Sequence, residues 1–120
     1  MPRRLRYNWR MLFHVVPVDE WTADVAGPYA PASLTSEGFV HCSADESAAL
    51  AVADGPYRDV ADLLVLVIDE SLLTAEVRWE GSRDMLFPHV YGPVARAAVT
   101  GVLAVRRDED GHARELTPWV

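Results

Sequence analysis

The chain has 120 residues, 50% of them hydrophobic and 24% charged, and 11 basic against 18 acidic side chains leave a formal charge of −7. That length suits one domain able to bury its own core and excludes two. No uninterrupted apolar run approaches the roughly 20 residues of a membrane helix, and the acidic surplus disfavours a polyanion such as nucleic acid.

The charge is uneven. Arg3, Arg4, Arg6 and Arg10 stand in the first ten residues, leaving 7 basic and 18 acidic side chains in positions 11–120. Residues 1–10 are read as a basic arm and 11–120 as a single α+β domain. The single cysteine, Cys42, has no partner for an internal disulfide, and no signal-peptide pattern opens the chain, so a soluble cytoplasmic protein is expected.

Met11 to Val16 reads as a short apolar strand. Pro17 then suits the first turn of a helix, with Asp19 and Glu20 complementing its dipole and Val18, Trp21 and Val25 on one face. Gly27-Pro28 ends it, and the prolines of Pro28-Tyr29-Ala30-Pro31 make Tyr29 to Thr35 a loop. Glu37 to Cys42 is a second strand. Ser43-Ala44-Asp45-Glu46 matches a capping box, with Ser43 as cap of a helix that runs to about Asp54 and stops at Gly55-Pro56.

Leu63 to Ile68 is apolar at every position, which predicts a central strand covered on both faces. Ala75 to Glu80 alternates, predicting a half-exposed strand. Phe87 to Pro93, bracketed by turn formers, is expected to be a loop entering a short extended piece. Ala97 to Arg107 is a last long strand in which Gly101 marks a bulge or a close backbone approach. Asp108 to Gly111 is a turn, after which Ala113 to Leu116 pairs back.

Three of the four histidines sit beside aromatics: His14 after Phe13, His41 near Phe39, and His89 between Phe87 and Tyr91. Imidazole serves as acid, base or hydrogen-bond donor, and adjacent strands would bring the three together. Satisfied polar groups at the edge of a core are the plainer alternative. In an extended segment Phe39, His41 and Ser43 share one face and Cys42 the other. A zinc site using His41 and Cys42 with His14 and His89 would therefore need a bulge, and no metal is expected. Cys42 is read as a small core residue, and Ser43 as a cap rather than a nucleophile. The helix amides after Ser43 would favour an anion, unless Asp45, Glu46 and the cap already satisfy them. Glu80 is either a solvated edge carboxylate or a group that orients a sugar hydroxyl and steadies positive charge on carbon.

Taken together, the strings Leu12-Phe13-His14-Val15-Val16, Trp21, Tyr29-Ala30-Pro31-Ala32-Ser33-Leu34, Glu37-Gly38-Phe39-Val40-His41-Cys42-Ser43, Val77-Arg78-Trp79-Glu80 and Phe87-Pro88-His89-Val90-Tyr91-Gly92-Pro93 resemble the bacterial and plant family known as domain of unknown function 952. The match spans about Met11 to Val105. That family is similar to the ADP-ribosyltransferase superfamily with its RNA 2′-phosphotransferase branch. The resemblance implies a split, bent β-sheet with two early helices, gripping NAD or an ADP-ribose-like group.

Carried over residue by residue, the resemblance makes His14 the first polar position, His41 the second and Glu80 or His89 the third, with Glu80 preferred. Tyr29, Ser43, Arg78, His89 and Tyr91 would line the ligand site. NAD would then be the substrate, nicotinamide the leaving group, and Glu80 the stabiliser of an oxocarbenium-like transition state. The implied partner is a small-molecule nucleotide. Two alternatives stand beside this transferase: a binding module without turnover, and metal-dependent hydrolysis by the histidines.

Overall fold

Leu63-Leu64-Val65-Leu66-Val67-Ile68 carries no polar side chain, and in the computed structural model, which describes residues 10–119, it forms the centre of the larger of two sheets. β1 (Met11–Pro17) and β6 (Val99–Arg107) pair antiparallel on either side of this strand, β3 (Leu63–Asp69), and β7 (Ala113–Pro118) completes the order β1-β3-β6-β7. A second sheet has the order β2 (Val40–His41), β5 (Met85–Tyr91), β4 (Glu76–Ser82). Among the described residues three short α-helices accompany the sheets: α1 (Val18–Thr22), α2 (Ala32–Glu37) and α3 (Glu46–Asp54). The result is a small α+β fold of mostly antiparallel sheets with few helices. All of the expected basic arm except Arg10 lies outside the described residues.

Strand alternation divides the core in two. Leu12, Val16, Leu64, Leu66 and Ile68 face the small sheet and meet Val40, Cys42, Val90 and Val94. Val15, Leu63 and Val65 face the other way, onto Ala49 and Ala53 of α3. Both alanines are fully buried, because only a small side chain lets the helix approach the sheet this closely. Arg107 anchors the segment after α3: its guanidinium donates to the carbonyls of Ala53, Tyr57 and Val60 at 3.0–3.3 Å. The sheet's own last strand pair thereby positions Tyr57.

Gly101 lies at a bulge, as its place in the pattern suggested: Val67 opposes Gly101 and Ile68 opposes Val99, which leaves Thr100 extra. Elsewhere the local reading is corrected. The first helix ends at Thr22, and Val25 is 71% exposed, so no apolar face exists to carry the helix further. The expected loop from Tyr29 to Thr35 contains the start of α2. Pro31 is its N-cap at φ −69°, a place where a missing N–H costs nothing. Ser43 does not cap α3. Its backbone pairs instead with Phe13 (Ser43 N to Phe13 O 2.6 Å, Phe13 N to Ser43 O 2.9 Å), and the cap falls to Asp45, whose carboxylate accepts from Ala48 N at 2.8 Å. Phe87 to Tyr91 is strand, not loop. Pro88 is tolerated there because its carbonyl, accepting from Cys42 N at 3.1 Å, lies on the side where the two-residue β2 ends and no donor is required.

The β4–β5 hairpin closes on Gly81, whose φ is +152° and where an added Cβ would stand 2.2 Å from the Met85 carbonyl oxygen. Gly38, the left-handed C-cap of α2 at φ +91°, has open space around it. Gly81→Ala is therefore expected to cost about 2–3 kcal/mol and Gly38→Ala about 1 kcal/mol. Urea unfolding of the two variants checks the order; equal midpoints would show that the hairpin absorbs the clash.

Candidate functional site

β1 is an edge strand, and apart from the Phe13–Ser43 bridge its outer edge carries no strand pairing among the described residues. A cavity of about 560 Å³ runs along that edge between α3 and the small sheet. Phe13, Val52, Pro56 and Tyr57 line it from the α3 side, and Tyr29, His41, Phe87 and His89 from the other. His14 and Ser43 also contribute, with 6% and 3% of their surfaces exposed.

His14 alternates with Phe13 and Val15, so it points with Leu12 and Val16 toward the small sheet. There its Nδ1 lies 2.5 Å from the His41 carbonyl oxygen and its Nε2 lies 2.8 Å from the Tyr29 hydroxyl. A carbonyl only accepts, so Nδ1 carries the proton; a neutral ring then leaves Nε2 as acceptor and the Tyr29 hydroxyl as donor. Burial favours this neutral form, lowering the imidazole from 6.5 to about 4. The same desolvation raises the Tyr29 hydroxyl, with the Glu20 carboxylate adding to it, so its proton stays in place.

The other two histidines lie on the open face of the small sheet. His41 and His89 are directly opposite in the β2–β5 register, with ring centroids 5.5 Å apart. Phe39 stacks on His89 at 4.1 Å and meets the edge of His41 at 4.7 Å. Each imidazole has its own carboxylate: His41 Nε2 contacts Glu37 Oε1 at 3.1 Å, and His89 Nδ1 contacts Glu80 Oε1 at 2.8 Å. Glu80 also accepts from the Tyr91 hydroxyl at 2.6 Å. These bonds, the tyrosine's first and the histidine's second, hold the Glu80 carboxyl below the usual carboxylate range.

The structure thus brings His14, Tyr29, His41, Ser43 and His89 to one cavity. Glu80, Arg78 and Tyr91 stand outside its lining. Glu80 reaches the site through His89, because its register partner is Phe87 and its side chain leans diagonally onto the next residue of that face. Its carboxylate is thus engaged by His89 and Tyr91. Arg78 is exposed, bonded to Glu76 at 3.1 Å and stacked on Tyr91 at 4.2 Å. Cys42 points into the core as its parity requires, and burial pushes its thiol up to about 12, which leaves it no reactivity as a nucleophile near neutral pH. Among the described residues no three His, Cys, Asp or Glu side chains are arranged to hold a metal ion.

Glu37, Tyr57 and Glu20 escaped the sequence reading. The only signal for Glu37 is its spacing of four from His41. It pairs with that ring because α2 ends on Glu37 and Gly38 turns the chain back. Tyr57 lies in a connection without periodicity, where no local pattern marks it.

A small, mostly antiparallel α+β domain with a histidine-lined cavity at an open strand edge is the class defined here. The chain belongs to the family described as "Protein of unknown function (DUF952)", whose model matches residues 15–102. It is similar to the protein CC0527 from Caulobacter crescentus. The crystal structure of that protein gives a TM-score of 0.75 at 30% identity, with 87% of this chain and 93% of that chain covered. Its solution NMR structure gives 0.70 at 28% identity, with 87% and 91% covered. No curated protein matches the chain. Among the described residues no helix is long and apolar enough to cross a membrane.

The buried imidazole carries a pH dependence with a defined sign. The unfolded chain takes up a proton on His14 below about pH 6.5, whereas the native one resists until about pH 4. Stability present above pH 6.5 is therefore lost as the pH falls toward 4, by on the order of 3 kcal/mol. Denaturant unfolding at pH 7.5 and 4.5 should show a fall larger by about 2 kcal/mol in wild type than in His14→Gln; equal falls would mean that His14 is not held neutral.

Proposed function

We propose that the cavity along β1 binds a small nucleoside-type ligand and that His41 and His89 work on it as an acid–base pair. The observation that carries this reading is two imidazoles 5.5 Å apart on a shared cavity wall, each tethered by its own carboxylate. A tethered imidazole has a fixed tautomer and a fixed direction of proton transfer, the requirement for general acid–base catalysis. With Nδ1 of His89 bonded to Glu80, Nε2 is the atom that accepts a proton. With Nε2 of His41 bonded to Glu37, Nδ1 is the corresponding atom there. Tyr29 and Ser43 offer oxygens to sugar hydroxyls, and Phe13, Tyr57 and Phe87 offer ring faces to a base.

The resemblance to ADP-ribosyltransferases favours an N-glycoside such as NAD or an ADP-ribose-like compound, and glycosyl transfer as the reaction. The glycosidic C–N bond would break with its electron pair leaving on nitrogen, an acceptor oxygen would bond to the anomeric carbon, and its proton would pass to the His89 imidazole. Glu80 then serves by holding His89. A binding module without turnover remains the second reading, favoured by the 52% exposure of the His41 side chain, which leaves it open to water.

Thermal unfolding with nicotinamide riboside, NAD and ADP-ribose tests the ligand class. A ligand at about 100 times its Kd stabilises by about 2.7 kcal/mol, a melting shift on the order of 10 °C for a domain near this size. Nicotinamide release lost at least about 100-fold in His89→Gln, with the ligand-induced shift retained, is the result expected of the enzyme. A shift without release identifies the binding module. A folded protein shifted by none of the three compounds would overturn the nucleoside reading.

A further inference from the structure

The cavity's polar groups have a common sign. Among the described residues its lining includes the carboxylates of Glu20 and Glu37 and no arginine, and the chain has no lysine. Two nearby cations, Arg78 on the small sheet and Arg96 packed against α1, are committed elsewhere. Arg78 is bonded to Glu76 and stacked on Tyr91, and Arg96 lies over Trp21 and donates to the carbonyls of Asp24 and Gly27. His14 is neutral above about pH 4, since its depth disfavours the charged ring. Even with both His41 and His89 protonated, the three carboxylates of Glu20, Glu37 and Glu80 leave the site net negative.

The buried end is equally one-sided. The Tyr29 hydroxyl gives its proton to His14 Nε2 and presents lone pairs alone to the cavity. Ser43, 3% exposed, adds a hydroxyl to the same cavity lining. A buried acceptor such as Tyr29 is satisfied by a ligand that brings hydrogen-bond donors, and it loses free energy against one that brings only oxygens. Phosphate recognition asks for the opposite inventory: cations and free backbone N–H groups. Here the first turn of α3 is already capped by Asp45, with Glu46 beside it.

From this we infer that the cavity selects a phosphate-free ligand, a neutral or cationic nucleoside whose hydroxyl and amino donors meet Tyr29, Ser43 and the rim carboxylates. The inference rests on the nucleoside reading above and narrows it: a 5′-phosphorylated compound enters only at a penalty, and in a dinucleotide the phosphates stay outside the cavity. Cationic bases gain most, because the aromatic rings of Tyr57, Phe13 and Phe87 line the same cavity as the carboxylates of Glu20 and Glu37.

Isothermal titration of the full chain with nicotinamide riboside and its 5′-monophosphate, and with adenosine and AMP, tests the selection. Each nucleoside should bind at least about tenfold more tightly than its own monophosphate, and the cationic riboside more tightly than adenosine. Glu20→Gln, at an exposed position on α1 without a structural bond, should narrow the nucleoside–monophosphate gap about threefold, a change that a purely steric exclusion would not produce. Monophosphates that bind as tightly as or more tightly than the nucleosides would overturn this inference and leave the nucleoside reading standing. Binding by none of the four compounds, in protein shown to be folded, would overturn both.

Discussion

A single residue pair joins the two sheets at the place where the site forms. Phe13 and Ser43 exchange backbone hydrogen bonds across the outer edge of β1, and the edge is otherwise left open to the cavity. Because Ser43 is fixed there, His41 two residues earlier delivers its carbonyl to His14 Nδ1, and Asp45 two residues later starts α3. Cys42 between them turns into the core, tied by its amide to Pro88 of the neighbouring strand. The cavity floor, the orientation of His14 and the helix that walls the far side all depend on that pair.

Around this link, every histidine of the site has a hydrogen-bond partner that fixes the orientation of its ring. His14 is held neutral by burial and sandwiched between an obligate acceptor and a hydroxyl donor. His41 and His89 are held by carboxylates on opposite sides, from the end of α2 and from β4. A polar network in a low-dielectric setting is stabilising only when its members are satisfied, and here the His14 ring is bonded at both nitrogens while His41 and His89 are each held at one by a carboxylate. That division places a fully bonded imidazole at the buried end of the cavity and two half-bonded ones on its open wall.

Much of this was legible locally. The both-sided apolarity of Leu63 to Ile68, the bulge at Gly101, the turn at Asp108 to Gly111 and the opposition of His41 to Cys42 follow from side-chain alternation and turn chemistry, which act over a few residues. The misreadings share a cause. Pro31 and Pro88 carry the local signature of breakers, but one sits at a helix N-cap and the other at a strand position whose neighbour has ended, so the missing N–H is harmless in both. With Phe87 to Tyr91 as strand, Glu80 becomes the diagonal neighbour of His89, a contact invisible while that segment is a loop. Ser43 looked like a cap because its spacing to Glu46 is right; tertiary pairing with Phe13 claimed its backbone instead.

The sequence by itself determined the α+β class, the strands β1, β3, β4, β6 and β7, the family, and the three histidines beside aromatics, because alternation, turn chemistry and motif strings are written in neighbouring residues. Only the tertiary structure decided that Tyr29 and His41 meet at His14, that Glu80 bonds His89 from outside the cavity lining, and that the cavity, among the described residues, holds carboxylates without arginines. Those facts join groups 15, 27 and 9 residues apart. Their meeting is set by sheet order and register, which no local pattern encodes.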